Sequence, residues 1–157
     1  MNAANREYPY RSFEISTIVS ARKVGRQTNP KPEAVGNNGL KLESMLEVDG
    51  SKEVVTLRLV VLAGRKDLVS TYEAALILAH QRVRGVGYDE TGRKKRYKVH
   101  IPKGWHQNLI DPNLSAHDDA SNRHESLPDW IITEFDDFIR KVCTLWNIDL
   151  GREETLL

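Results

Sequence analysis

A chain of 157 residues, 39% hydrophobic and 29% charged, has the length and composition of one domain with a core of its own. A single cysteine, Cys143, excludes an internal disulfide framework, and no apolar run reaches the length of a membrane-spanning helix, so no membrane association is expected. The first residues lack an apolar signal core, so a reducing, cytoplasmic setting without secretion is expected.

In chain order, Ser12 to Lys23 alternates Phe13, Ile15, Thr17 and Val19 with polar residues, which predicts a strand. Residues 24–39 carry Asn29-Pro30-Lys31-Pro32 and Gly36-Asn37-Asn38-Gly39 and predict a long loop. Leu40 to Val48 alternates cleanly, with Leu40, Leu42, Ser44, Leu46 and Val48 on one face, and Asp49-Gly50 supplies a tight turn. Glu53 to Ala63 is apolar on nearly both faces, so it is placed centrally in a sheet, under a helix, and Gly64 to Asp67 closes it. Ser70 to Asp89 is assigned as a strand broken or bulged near Gly85, and Asp89 to Gly92 as a hairpin-like turn. Lys94 to Pro102 predicts a strand with Arg96, Lys98 and His100 on one face. Residues 103–128 hold too many turn formers for long regular structure.

The closing segment predicts a helix. Phe135, Phe138, Ile139, Val142, Leu145 and Trp146 form an apolar stripe; Asp129 or Thr133 can cap it, with Glu134, Asp136 and Asp137 near its positive end. Gly151 stops it, and Arg152 onward is expected to fray. The expected fold is α+β: a single twisted, mainly antiparallel sheet with a C-terminal helix packed on one face. It forms one domain over 1–157, with 1–11 and 152–157 flexible.

The net charge of +1 hides an asymmetry. Residues 82–105 carry eight cations against two carboxylates, and residues 111–137 carry eight carboxylates against Arg123. These segments either neutralise each other across the fold or present a basic face to an anionic partner. Phosphate-cradling glycine loops, nucleophile elbows and paired-cysteine metal spacing are all absent from the sequence. Cys143 sits in the apolar helix, as a small core residue would.

The segment Tyr97 to Trp130 holds four of the five histidines: His100, His106, His117 and His124. Histidine can donate and accept protons near neutral pH, which suits metal-free RNA cleavage. His100, His106 and His124 are the catalytic candidates. Arg96, Lys98, Lys103 and Arg123 are the candidates for phosphate binding, and Trp105 for base stacking. The alternatives are histidines that hold a loop through backbone hydrogen bonds, a tryptophan that serves the core, and a metal set completed by Asp111, Asp118 and Asp119. No cofactor is expected.

The run Tyr97-Lys98-Val99-His100-Ile101, then Gly104-Trp105-His106, Asp111-Pro112 and the helix Phe135 to Ile148 resembles the TumE-like toxin group and neighbouring bacterial families. That resemblance implies a small antiparallel sheet with a closing helix, in a toxin–antitoxin or mobile-element setting. The expected function is therefore a toxin-like protein that binds or cleaves RNA, with an antitoxin or target as protein partner. The alternative is a non-enzymatic protein-binding module, an inhibitor or accessory factor, that uses a β edge and the opposed charged segments.

Overall fold

The computed structural model describes residues 8–36, 38–62, 71–89, 93–94, 100–115 and 121–152. Two helices, α1 (Ser12–Ser20) and α2 (Phe135–Leu145), accompany strands β1 (Lys23–Gly25), β2 (Glu33–Val35), β3 (Gly39–Val48), β4 (Val54–Leu62), β5 (Thr71–Leu78), β6 (Gln81–Asp89), β7 (Arg93–Lys94), β8 (His100–Ile101), β9 (Gly104–Ile110), β10 (Asn122–Ser126) and β11 (Ile148–Asp149). Among the described residues, nine strands form one sheet in the order β10-β9-β6-β5-β4-β3-β1-β11, with β2 also on β3. Every pairing is antiparallel except β1 with β11. The α+β fold read from the sequence is the one observed.

Period-two patterning sets the core. Leu42, Leu46 and Val48 of β3, Val55, Leu57 and Leu59 of β4, and Ala74, Leu76 and Leu78 of β5 are all buried on one face. Both helices cover that face: Ile15 and Ile18 come from α1, and Phe138, Ile139, Val142 and the following Trp146 from α2. Each fully buried leucine contributes about 1.5–3 kcal/mol. At the start of α2 the Asp137 carboxylate accepts from the Thr133 hydroxyl and from the N–H groups of Thr133 and Glu134. These bonds, the Thr133 hydroxyl foremost, hold Asp137 below the usual carboxylate range. The N-cap is Glu134, rather than Asp129 or Thr133.

Several expectations are overturned. Ser12 to Ser20 is a helix. Ile15 and Ile18, three residues apart, turn inward, while Phe13 is 65% exposed, so the alternation is incidental to the helical stripe. The 24–39 loop contains the end of β1 and all of β2, which pairs with β3 around Gly36 at φ +60. Residues 71–89 form a hairpin, β5–β6, turned by Ala79 and His80, both at positive φ. Ala79 does not favour that region and His80 favours it less than Gly or Asn, so the sequence carried no strong signal for the turn. The bulge expected near Gly85 is present, between Arg82 and Arg84 and opposite Leu76 and Ile77. Residues 94 and 100 are antiparallel partners, so Lys94 to Pro102 is not one continuous strand. Residues 103–128 supply two paired strands, β9 and β10. Of the termini expected to be flexible, Tyr8 donates to the Leu78 carbonyl, Tyr10 bonds Glu53, and Arg152 pairs with Asp136 at 2.8 Å. The turns at 64–67 and 90–92, and the chain ends at 1–7 and 153–157, lie outside the described residues.

Lys23 is fully buried. Its Nζ donates to the carbonyls of Val19 at 2.5 Å, Ala21 at 2.7 Å and Trp146 at 2.7 Å, which joins the ends of both helices to β1. Burial lowers its pKa from 10.5 to about 8. Below that value both the folded and the unfolded chain hold the proton. Between the two values only the unfolded chain does, so this group makes stability rise with pH across that window. Lys23→Met leaves three buried carbonyls without their donor and should cost about 2–4 kcal/mol in urea unfolding near neutral pH. The lead of the wild type over Lys23→Met should then widen by about 1–2 kcal/mol towards pH ~9.5; a lead that is flat or shrinking with pH contradicts this account.

Candidate functional site

The face of the sheet away from the helices carries a cleft of about 510 Å³ across β4, β5, β6, β9 and β10. Its composition follows from strand alternation. In β9, Trp105 and Gln107 face the helices: Trp105 packs on Tyr72, Tyr88, Trp130 and Phe138, and the Trp146 Nε1–H reaches the Gln107 side chain at 3.5 Å. His106 and Asn108 therefore face the cleft. In β10, His124 is paired across from Asn108 and takes the same face, whereas Arg123, across from Leu109, takes the other.

His106 is 6% exposed. Its Nδ1–H donates to the Gly104 carbonyl at 3.2 Å, which leaves the lone pair on Nε2. Nε2 is turned over Gly87, where an added Cβ would lie 3.7 Å from it. The His124 ring packs beside it, centroids 5.3 Å apart and planes at 55°. One row of cross-strand partners crosses the cleft: Arg58, Ala75, Gly85, Asn108 and His124. Arg82 and His80 border it at the β5–β6 turn, and Glu73 and Asp89 supply opposite charge. Ile101 of β8 is buried against the cleft, with β8 packed on β10.

No family model, curated protein or solved structure matches this chain. The site therefore stands on its geometry.

Of the candidates read from the sequence, His106 and His124 meet. His100 lies in β8, paired through its backbone with Lys94; its side chain, and Arg96, Lys98 and His117, lie outside the described residues. Lys103 is exposed between β8 and β9, and Arg123 is exposed on the far side of β10 from the histidine pair. Trp105 serves the aromatic cluster under α2 rather than the cleft. Among the described residues, no group of three or more His, Cys, Asp or Glu side chains is placed to hold a metal ion. Asp111 is committed to Ser12 and to Asn113. Arg58, Arg82 and Asn108 were missed. Gly85 and Gly87, two apart, were the available signal, because alternate glycines flatten one face of a strand.

Cys143 is half-buried on α2, outside the cleft. Burial, followed by the nearby Asp149 and against Arg152, pushes its thiol up to about 12. A group in that state carries almost no thiolate. Iodoacetamide at pH ~8 should leave the folded chain unmodified and alkylate it fully in denaturant. Rapid alkylation of the folded chain would show the thiol to be ionised.

Proposed function

We propose that the chain binds single-stranded RNA in this cleft, and that His106 and His124 transfer the protons of backbone cleavage. The observation that carries the reading is the pair of imidazoles, packed at 5.3 Å in the wall of one cleft that Arg58 and Arg82 also line. His106 Nε2 is the base. It takes the proton of a 2′-hydroxyl as that oxygen attacks phosphorus, and the bond to the 5′-oxygen breaks. His124, protonated, returns a proton to the departing oxygen, which leaves a cyclic phosphate and a free hydroxyl. Arg82, with Arg58 beside Glu43, meets the phosphate charge.

The resemblance to TumE-like toxins, carried in part by Gly104-Trp105-His106 and the closing helix, fits the same reading and gives it a toxin–antitoxin or mobile-element setting in the cytoplasm. A second reading, a protein-binding module, is favoured by one observation: β10 ends the described sheet order, with Arg123, Glu125 and Ser126 exposed along it. Capture of a protein partner that competes with RNA for the chain would join the two readings.

The test is cleavage of short single-stranded RNA by the purified chain without added metal. His106→Ala and His124→Ala should each lower the rate by about 100-fold or more, with the circular dichroism unchanged. Gly87→Ala adds a methyl at ordinary contact distance from His106 Nε2, so it should keep the fold and suppress cleavage. A wild-type chain that neither binds nor cuts RNA, or histidine variants with full activity, would sink the proposal.

A further inference from the structure

The ladder between β5 and β6 stops before the strands do. It runs from the turn as far as Ala74 and Val86. Past that pair, Thr71, Tyr72 and Glu73 stay paired with β4, and Gly87, Tyr88 and Asp89 stay paired with β9, so the sheet splits between β5 and β6. A Cβ added at Gly85 would lie 3.5 Å from the Ala74 carbonyl, whereas one at Gly87, inside the split, would meet only His106 within 4 Å among the described residues. The cleft follows the split. Towards the turn it is bordered by the outward-facing Ala75 and Ile77; here Tyr72, Ala74, Val86 and Tyr88 of the helix-facing set join Glu73 and Gly87. Ladder alternation sets which main-chain groups turn to the gap. The Leu127 N–H donates to the Trp105 carbonyl, so the main chain of Trp105 faces β10 and that of His106 faces β6. Gly87 then bonds to β9, and Val86 and Tyr88 turn their N–H and C=O groups to β5. Val86 meets Ala74, while Tyr88 and Tyr72 lie where the ladder is no longer made.

Charge divides the cleft along the same axis. Arg82 is paired with Ile77 near the turn, and Glu73 is exposed at the split, four residues or about 14 Å further along β5. His106 Nε2 lies over Gly87, the residue that follows Val86 as Glu73 precedes Ala74.

We infer that the split is a base subsite and that Glu73 makes it select guanine. The inference rests on the proposal that the cleft takes RNA, and it names the nucleotide. The Watson–Crick edge of guanine offers N1–H and N2–H side by side, two donors that one carboxylate accepts together. Its O6 accepts, and the main-chain N–H groups of Tyr72 and Tyr88 are donors turned to the split. Adenine and cytosine each set the lone pair of a ring nitrogen beside a single amine, and uracil sets N3–H between two carbonyls. Each of these puts a lone pair against Glu73. With guanine in the split, the ribose lies beside His106 Nε2 and the phosphate points to the end that holds Arg58 and Arg82. Glu73 is a specificity residue in this arrangement; the protons are moved by the histidines.

The experiment uses the full chain and labelled 2′-O-methyl strands of about ten nucleotides, which lack the attacking hydroxyl and stay intact during a fluorescence anisotropy titration. One strand is all uracil; in the others the central uracils are replaced by guanine, inosine, adenine or cytosine. The wild type should bind the guanine strand about tenfold or more tighter than the uracil, adenine and cytosine strands. Inosine, which lacks the N2 amine, should lose most of that gain. Glu73→Gln and Glu73→Ala, at an exposed position, should keep the circular dichroism and bind the guanine strand no better than the uracil strand. Their affinity for uracil should be unchanged or higher, since a negative charge has left the cleft. Equal binding of all the strands, inosine bound as tightly as guanine, or a guanine preference that survives in Glu73→Gln overturns the inference and leaves the RNA proposal standing. A wild-type chain that binds none of the strands removes the RNA proposal and this inference together.

Discussion

One ammonium group closes both helices. Neither α1 nor α2 carries a basic residue in its last turn, and each ends with carbonyls that have no partner inside the helix. Lys23 supplies the missing charge and donors from β1, and reaches Val19 in the last turn of α1, Ala21 just beyond it and Trp146 just beyond α2. The negative ends of two helix dipoles are thus drawn to one point under the sheet. The same residue pairs through its backbone with Val48 of β3 and Ile148 of β11. A buried lysine is costly to keep. Here three short hydrogen bonds offset that cost, and they fix the angle at which both helices approach the sheet.

With the helices held on one face, the other face is determined residue by residue. Leu76 must point inward, so Ala75 and Ile77 point out; Gln107 meets Trp146, so His106 and Asn108 turn away. The cleft is the complement of the core. Its two histidines are brought together by the β9–β10 register, in which Asn108 faces His124 and His106 faces Ser126. Gly87 leaves His106 Nε2 open, and the carbonyl of Gly104, at φ +88 where glycine is favoured, sets its tautomer.

The sheet was legible where alternation was strong. β3 and β4 were placed within a residue or two, and the central position of β4 followed from its two apolar faces. The α2 stripe was equally clear. Failures fell where the deciding term is not periodicity. α1 is nine residues long, too short for its three-residue spacing to outweigh an accidental alternation. The β5–β6 turn uses Ala79 and His80 in backbone conformations that ordinarily call for Asn or Gly. β9 and β10 lie among Pro, Asn and Asp that were read as turns, and only pairing between distant segments makes them strands. For the site, histidine chemistry singled out His106 and His124. Arg58, Arg82 and Asn108 come from three different strands, and beyond the Gly85 and Gly87 spacing no local pattern announces a site assembled across the sheet.

The parallel pairing of β1 with β11 bears on how the chain acquires its shape. Lys23 and Val24 are bonded to Ile148 and Asp149, which lie some 125 positions further along the sequence. The β3–β4–β5–β6 meander can assemble from neighbouring segments, and loop closure costs it little. The far edge of the sheet cannot. During synthesis α1 emerges early and has no completed surface to rest on, because the carbonyl that shares its lysine belongs to Trp146. Until that residue is made, the cationic side chain and the apolar underside of the meander remain together in water. The β1–β11 pairing is thus a contact that can close only after Ile148 and Asp149 have been made.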